Sequence, residues 1–513
     1  MQHLILVQPP LSKKERYGVL SSGGSCLPPF GLAWLASVLV EDGYKVSIID
    51  SEALVLTPEE VVKTIIEKDP SVVGFTATTI SVNRSYNVAK MLKEAGYKGQ
   101  VLIGGPHVTA VPEDTLRKFP IFDLAVLGEG EKTIRELFPL LLDNKSRLQE
   151  KLTEQSDLSD DKPVDSDIEQ SGLLSTNSLS AAIKAIKGIA FIDETGSFVR
   201  NPDREYLSKD ELAKMPLPAF ELLPPLDSAY QPSALRSHRL PSSSLITTRG
   251  CGGKCTFCDN TVFGTRIRSF SAEYIIEMVR ILVEKYGIRD ITFYDDNFVV
   301  NKKRLKEFCA LLKENFPDLS WSCNARVDVI TEELVSLVKE HGCWQMSVGI
   351  ESGVQEILDV ECKGITIEQV KKAVGLLNKY GIKTKGFFMI GHPNETEETI
   401  KKTIDFALSL PLDDFQMSFL TPFPGTCIYK NIEQWGVLDA KWDEMNMWTP
   451  VFIPFGLTRD RLITLQASAL RKFYFRPRII LRYLKTCILT PSVAGAVFRG
   501  GLSLLKGVFS SRR

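Results

Sequence analysis

The sequence predicts an α/β protein: a Rossmann-like domain, then a partial (β/α)6 barrel, then a helical extension. Three observations predict it. Short apolar runs alternate with helix-period segments in two separate series, residues 1–143 and 241–425. A polar, acidic stretch divides the two series. In the second series the polar residues fall at the carboxyl ends of the strands, where such folds gather their chemistry. At 513 residues the chain is too long for one ordinary domain, and its 44% hydrophobic content is enough for two sizeable cores.

In the first series the strands are HLILV from His3, KVSII from Lys45, SVVGF from Ser71, QVLIG from Gln100 and FDLAVL from Phe122. Amphipathic segments lie between them at Gly31–Glu41, Pro58–Lys68, Val82–Ala95 and Glu131–Leu142. Apolar runs alternating with helices mean a parallel sheet covered on both faces, and five units fit a doubly wound domain. Residues 144–187 then turn acidic and poor in aromatics, a composition that cannot offset chain entropy, so they read as a disordered linker. Gly188–Arg200 reads as a hairpin turning near Glu194–Gly196. A connector marked by Pro216, Pro218, Pro224 and Pro225 runs to residue 240.

The second series opens with SSLITT at Ser243–Thr248. It continues through Asp290–Asp296, Leu319–Ala325, Gln345–Glu351, Lys383–Gly391 and Asp414–Leu420. Helices such as Ala272–Tyr286 and Glu368–Tyr380 separate these strands. Six units are too few for a closed eight-fold barrel and suit an open one. Arg249, Asp295, Asp296, Asn324, Arg326, Glu351 and His392 stand at its strand ends. Residues 426–513 form the extension.

The net charge of −1 gives no global case for nucleic acid. Met1–Pro10 lacks a secretory pattern, no run of about 18 apolar residues could span a bilayer, and the expectation is a cytoplasmic protein. Ten cysteines in a chain this long are no disulfide scaffold. Three of them, Cys251, Cys255 and Cys258, lie in the eight residues CGGKCTFC. Thiolates bind soft metals. A structural zinc site wants four closed ligands, usually as two separated pairs. Three cysteines on one loop after a strand instead favour an iron–sulfur cluster with one iron left open; zinc stands second and unligated core cysteines third.

CGGKCTFC, with Phe257 before its last cysteine, resembles the signature of the radical S-adenosylmethionine (SAM) superfamily. The resemblance implies a [4Fe–4S] cluster on Cys251, Cys255 and Cys258. Its open iron would chelate SAM, and one electron would cleave SAM to methionine and a 5′-deoxyadenosyl radical. FYDDNF (Phe293–Phe298) stands where that family usually carries Gly-Gly-Glu, so Asp295, Asp296 or Asn297 would hold the SAM amino group. GIES (Gly349–Ser352) resembles the fourth-strand motif, with Glu351 and Ser352 towards the ribose. GFFMIGHPNET (Gly386–Thr396) resembles the adenine-side motif. In CNARVD (Cys323–Asp328), Asn324 and Arg326 suit the SAM carboxylate or the substrate. The alternative for each is ordinary: strand-end polar residues often cap the next helix.

The first domain also has a resemblance. PPFGLAWLASVLVEDGYKVSIID (Pro28–Asp50), TATT (Thr76–Thr79), GGPHVTAVPE (Gly104–Glu113) and LGEGE (Leu127–Glu131) are similar to cobalamin-binding domains fused to radical SAM barrels. The cofactor contacts this implies are Thr78, Gly104, Gly105, Pro106, His107, Gly128, Glu129 and Gly130. Many cobalamin domains present a histidine to cobalt after the first strand. VQPPLSKKERYG has none there, so cobalamin would sit without a histidine ligand, and His107 reads as a loop or tail contact.

Residues 459–513 carry twelve Lys or Arg against the single acid Asp460. Interleaved aromatics and aliphatics make this segment either a basic amphipathic surface for an anionic membrane or a helix packed on the barrel with a solvated basic face. Nucleic acid is a third and weaker reading.

Taken together, the resemblances imply a cobalamin-dependent radical SAM enzyme methylating an unactivated carbon, similar to anaerobic magnesium-protoporphyrin ester cyclases and cobalamin radical SAM methylases. A non-methylating oxidation or cyclisation is the runner-up, and a cobalamin-binding redox regulator the rival from another class. The expected partners are a small-molecule substrate, lipid or tetrapyrrole among the options, and a one-electron donor such as flavodoxin or ferredoxin. Pro422, Phe423 and Pro424 are candidate pocket residues. No residue is assigned a catalytic role.

Overall fold

The computed structural model describes residues 3–142, 182–230 and 237–489, with 494–495, 497–498 and 500–502 beyond them. The first sheet has the order β2-β1-β3-β4-β5-β6-β7. Its strands are β1 His3–Gln8, β2 Lys45–Asp50, β3 Val72–Thr76, β4 Gln100–Gly104, β5 Leu124–Val126, β6 Ile189–Ile192 and β7 Phe198–Arg200. The first five pair in parallel, with Leu4 opposite both Val46 and Val72. Strand order therefore reverses on either side of β1, and ligands of such sheets bind beyond the strand carboxyl ends at that switch point.

The hairpin at 188–200 is not a separate connector. It adds β6 antiparallel to β5 and β7 antiparallel to β6, and so extends the first sheet, covering the edge of β5 that would otherwise stay open. Of the expected linker, 144–181 lies outside the described residues. Residues 182–187 are ordered, against the expectation. Ile183 and Ile186 are buried in the core of the first domain, and Asn201 Nδ2 donates to their carbonyls at 2.8 and 2.7 Å.

The second sheet contains β8 Ser242–Leu245, β11 Asp290–Phe293, β12 Ser320–Ala325, β13 Cys343–Glu351, β14 Lys383–Ile390 and β15 Asp414–Phe419. They run in chain order, all parallel, as a six-stranded half-barrel. Between β8 and β11 a two-stranded ladder, β9 Thr248–Arg249 and β10 Arg268–Ser269, closes the neck of the loop that carries the three cysteines. Beyond β15 the chain forms the small hairpin β16 Gly436–Leu438 and β17 Phe452–Pro454, then the helices Arg459–Tyr474 and Pro477–Leu489. No helix among the described residues is long and apolar enough to cross a membrane.

The two domains share a core. The helix Phe30–Glu41 of the first domain is apolar almost all round, so it needs cover on both sides. Leu32 and Leu39 face their own sheet, whereas Phe30 and Trp34 join the core of the half-barrel. Trp34 stacks on Phe270 at 5.3 Å between ring centroids, and its Nε1 donates to Tyr274 Oη at 3.2 Å. Trp34→Ala removes this seam. It is expected to cost about 3–5 kcal/mol in denaturant unfolding; a loss below about 1 kcal/mol would show that the seam does not hold the domains together.

Candidate active site

The loop between β9 and β10 is fixed at its base, middle and tip. At the base Arg249 and Arg268 are register partners, and both turn into the first domain. Arg268 Nη1 donates to both carboxylate oxygens of Glu129, at 2.7 and 2.9 Å. Arg249 Nη2 donates to Glu131 at 2.5 Å, and its Nη1 lies 3.3 Å from Glu129. All four residues are buried. Gly250 follows with φ +78°, and a Cβ there would lie 2.4 Å from the Arg266 carbonyl oxygen, so the turn into Cys251 admits only glycine.

In the middle, Thr256 N donates to the Glu361 carbonyl at 3.1 Å, and its hydroxyl bonds the Glu361 carboxylate. Glu361 in turn accepts from His392 Nδ1 at 2.7 Å, fully buried behind the loop. Burial pulls the His392 pKa down, yet the hydrogen bond and charge of Glu361, then Glu395 and Glu351, carry it to about 9. His392 therefore stands as a cation at neutral pH. Phe257 packs between this histidine, 6.5 Å away ring to ring, and the Lys363 ammonium, 5.9 Å away.

The sulfurs face one hollow. A Cβ on Gly253 would lie 3.7 Å from Sγ of both Cys251 and Cys255, and 3.2 Å from Arg326 Nη1. A hydrogen bond from Cys258 lowers the Cys255 thiol pKa, and Lys363 and Arg326 lower it further against burial. Among the described residues no three His, Cys, Asp or Glu side chains converge on a single ion. Cys251, Cys255 and Cys258, with Arg326 and Lys363 beside them, suit a polynuclear cluster, whose corners take separated thiolates.

Around the hollow the structure sorts the expected contacts. Glu351, at the end of β13, has φ +69°, a strained value for a residue with a side chain. Its carboxylate pairs with the buried Lys363 at 2.7 Å. Asn297 Oδ1 and Asn324 Oδ1 are buried without a hydrogen-bond partner, at the ends of adjacent strands. They are acceptors left over for an ammonium-bearing ligand, and SAM fits them. Asp296 is exposed, beside Cys251. Three of the expected contacts have protein partners. Asp295 accepts from Thr247 N, Thr247 Oγ1 and Thr248 N, so it ties β11 to β9. The Ser352 hydroxyl is buried against Thr403 and Val354 N and caps the following turn. Glu129, besides Arg268, accepts from Leu207 N at 2.6 Å and belongs to the domain seam.

On the first domain, Gly104, Gly105, Pro106, Gly128 and Gly130 are half-buried or exposed along the sheet's carboxyl edge. Gly105 has φ +101° and lies against Ala77, where a Cβ would come within 2.8 Å of a carbonyl oxygen. Thr78 bonds Ser81 through its hydroxyl and remains half-exposed on the loop after β3, at the switch point. His107 donates or accepts at Thr79 Oγ1, 3.3 Å away, and packs on Trp442 at 4.4 Å between rings. Burial, with Lys118 nearby, pushes it down to about 3. Its Nε2 is buried and unpartnered, a neutral group left for a bound molecule. A glycine-lined edge with that orphan atom fits the tail of a bulky cofactor such as cobalamin. Pro422 and Pro424 are buried and Phe423 half-buried in the turn after β15. In the same turn a Cβ on Gly425 would lie 2.8 Å from Asp259 and 2.9 Å from Ala110, so this turn touches both cofactor edges.

Glu361, Lys363, Glu131 and Arg268 are site residues that local sequence reasoning missed. Only Glu131 left a signal, as the second acid of LGEGE.

Comparison with known proteins agrees with this geometry. Residues 245–407 match the Radical SAM superfamily and residues 17–138 the B12 binding domain. An uncharacterized methyltransferase of Pyrococcus horikoshii is 34% identical over 481 residues, 93% of this chain and 94% of that protein. The anaerobic magnesium-protoporphyrin IX monomethyl ester cyclase of Cereibacter sphaeroides is 26% identical over 458 residues, 88% of this chain and 67% of the cyclase. The solved structure of the radical S-adenosylmethionine methyltransferase TsrM from Kitasatospora setae, with cobalamin and [4Fe-4S] cluster bound, shares the fold. Its TM-score is 0.62 at 19% identity, over 85% of this chain and 75% of that one.

Glu129→Gln leaves Arg268 and Arg249 short of a buried counter-charge, and is expected to cost about 3–5 kcal/mol of stability. The paired change Glu129→Gln with Arg268→Gln should recover part of that loss; a double-mutant cycle without coupling would refute the ion cluster. For His392 the folded pKa is raised, so its contribution is complete below the unfolded value near 6.5 and lost as pH rises through about 9. Melting temperatures of wild type and His392→Gln should therefore converge between those limits, and a constant difference across them would show that the histidine is neutral.

Proposed function

The chain belongs to the cobalamin-dependent radical SAM family, and from that membership we propose that it transfers a methyl group from SAM to an unactivated carbon of a small molecule. Its cofactors are a [4Fe–4S] cluster, SAM and cobalamin. When bound, they supply an electron that splits SAM to a 5′-deoxyadenosyl radical, and a cobalt centre that relays methyl. The protein's own residues hold, orient and enclose. Cys251, Cys255 and Cys258 hold the cluster. Asn297, Asn324, Arg326 and Glu351, with Phe257 alongside, embrace SAM, and Asp296 faces the same hollow. Gly104, Gly105, Pro106, Gly128 and Gly130 admit the cobalamin, with Thr78 and His107 against it.

The observation that carries this reading is the seam. The arginines at the base of the cysteine loop are buried against Glu129 and Glu131 of the cobalamin-side edge. With the root of the cysteine loop held on that edge, a substrate carbon between the two would lose hydrogen and gain methyl without diffusing. Such positioning supplies much of the rate in two-reactant chemistry. Methylation is favoured over cyclisation because the methyltransferase relative is the more similar and is matched over nearly its whole length. The substrate is a small molecule, lipid or tetrapyrrole among the options, and the electron comes from a donor such as flavodoxin or ferredoxin.

Reduced, reconstituted enzyme with SAM should release 5′-deoxyadenosine slowly without substrate. With substrate it should also form S-adenosylhomocysteine in step with methylated product, because a second SAM restores the methyl donor. Deoxyadenosine alone during productive turnover rejects methyl transfer in favour of oxidation or cyclisation. Neither product, with the cluster verifiably reduced, leaves a regulator.

A further inference from the structure

The helix Pro477–Leu489 is amphipathic in an inverted sense. One face is fastened to the half-barrel. Ile479 is fully buried, Arg478 Nη2 donates to the Leu412 carbonyl at 3.2 Å, and Arg482 pairs with Asp413. Just before it, Arg476 Nη1 donates to the Leu408 carbonyl at 3.0 Å. The other face should be polar, but it is apolar. Leu481 is 65% exposed, Leu484 55% and Ile488 76%, with Ile480 beside them at 44%. Their spacing places them on one side of the helix. Phe475, at the turn before the helix, is half exposed as well.

A contiguous exposed apolar stripe on a folded chain marks a docking surface. Its charge identifies the occupant. Lys485 within the helix, and Arg471 and Lys472 at the end of the preceding one, are exposed. The segment 459–513 has a net charge of +11, whereas the whole chain has −1. A second copy would bring an equal positive charge against this one, and repulsion would oppose apolar contact. A surface that is apolar inside and negative outside satisfies both features, and that is an anionic lipid bilayer. The helix is too short and too charged to span one, and suits lying in the headgroup region.

We infer that Phe475, Ile480, Leu481, Leu484 and Ile488 form a docking face that seats this protein on anionic membranes. The residues that fasten the helix, Leu408, Leu412 and Asp413, precede β15, so the face lies at the amino end of the half-barrel, opposite the cysteine loop. Lipid bound there lies away from the cysteine loop. The docking face is independent of the methyl-transfer reading, because binding is measured without turnover.

The test is co-sedimentation of the full chain with vesicles of phosphatidylcholine alone and of equal parts phosphatidylcholine and phosphatidylglycerol. The protein should pellet with the anionic vesicles at low salt, stay in solution with the neutral ones, and be released by high salt. Leu481→Ser with Leu484→Ser and Ile488→Ser should weaken anionic binding by at least about tenfold. These side chains are exposed, so thermal unfolding and SAM cleavage in solution should be unchanged. Arg471→Gln with Lys472→Gln and Lys485→Gln should weaken binding and flatten its salt dependence. Failure of the wild type to bind anionic vesicles at low salt overturns the inference, as does unchanged binding of the serine variant. A dimer that the serine variant dissolves, with no vesicle binding, assigns the face to a second copy instead.

Discussion

Four buried charges at the root of the cysteine loop determine how the molecule is put together. Arg249 and Arg268 emerge side by side from a two-rung ladder, and Glu129 and Glu131 meet them from a sheet more than a hundred residues earlier. Taking such groups out of water is expensive, and mutual attraction returns it only when the geometry is right. Here the return is incomplete, since Glu131 Oε2 and Arg249 Nε keep no hydrogen-bond partner. The cluster is thus a poor source of stability and a strict source of register. Any slide of one domain on the other leaves a charge buried alone. The apolar seam of Trp34 and Phe270 supplies adhesion without direction, and the ion cluster supplies direction.

Once the base of the loop is set, its middle and tip follow by shorter links. His392 behind β14 orients Glu361, and Glu361 takes both the amide and the hydroxyl of Thr256, one residue after Cys255. Lys363, two residues from Glu361 in the same turn, reaches the Glu351 carboxylate. The same short segment therefore orders the cysteine loop from below and the strained end of β13 from the side. Cationic Lys363 and Arg326 border a site built of thiolates, as an anionic cluster requires.

The strands, the helices and the cysteine loop were legible because each is a local pattern: a period of two or 3.6, or three cysteines in eight residues. All six barrel strands lie where the apolar runs put them, with ends shifted by up to three residues. What could not be read is partnership. Asp295, Glu129 and Ser352 have the residue types and positions of ligand contacts, yet each side chain is engaged by protein. Nothing near Asp295 tells that Thr247, forty-eight residues earlier, offers it an amide and a hydroxyl. Arg268 and Lys363 are invisible for the converse reason, since neither sits in a motif. The hairpin at 188–200 was recognised by its turn, but its attachment to β5 depends on an open strand edge, which is a property of the assembled sheet.

The last constraint comes from the chain's return. After β15 it doubles back over the first domain, where Trp442 packs on His107 and lies under the Lys118 ammonium at 4.0 Å. Asn446 donates to the Glu15 carbonyl at 3.1 Å, and Met447 accepts from Phe419 N at the end of β15. One segment therefore touches the cobalamin-side edge and the barrel edge within six residues. With the ion cluster at the root of the cysteine loop and the Gly425 turn between Asp259 and Ala110, it makes a third crossing between the domains. Rotation of one domain on the other about any one of these contacts would break the other two, and that resists hinge opening at this junction.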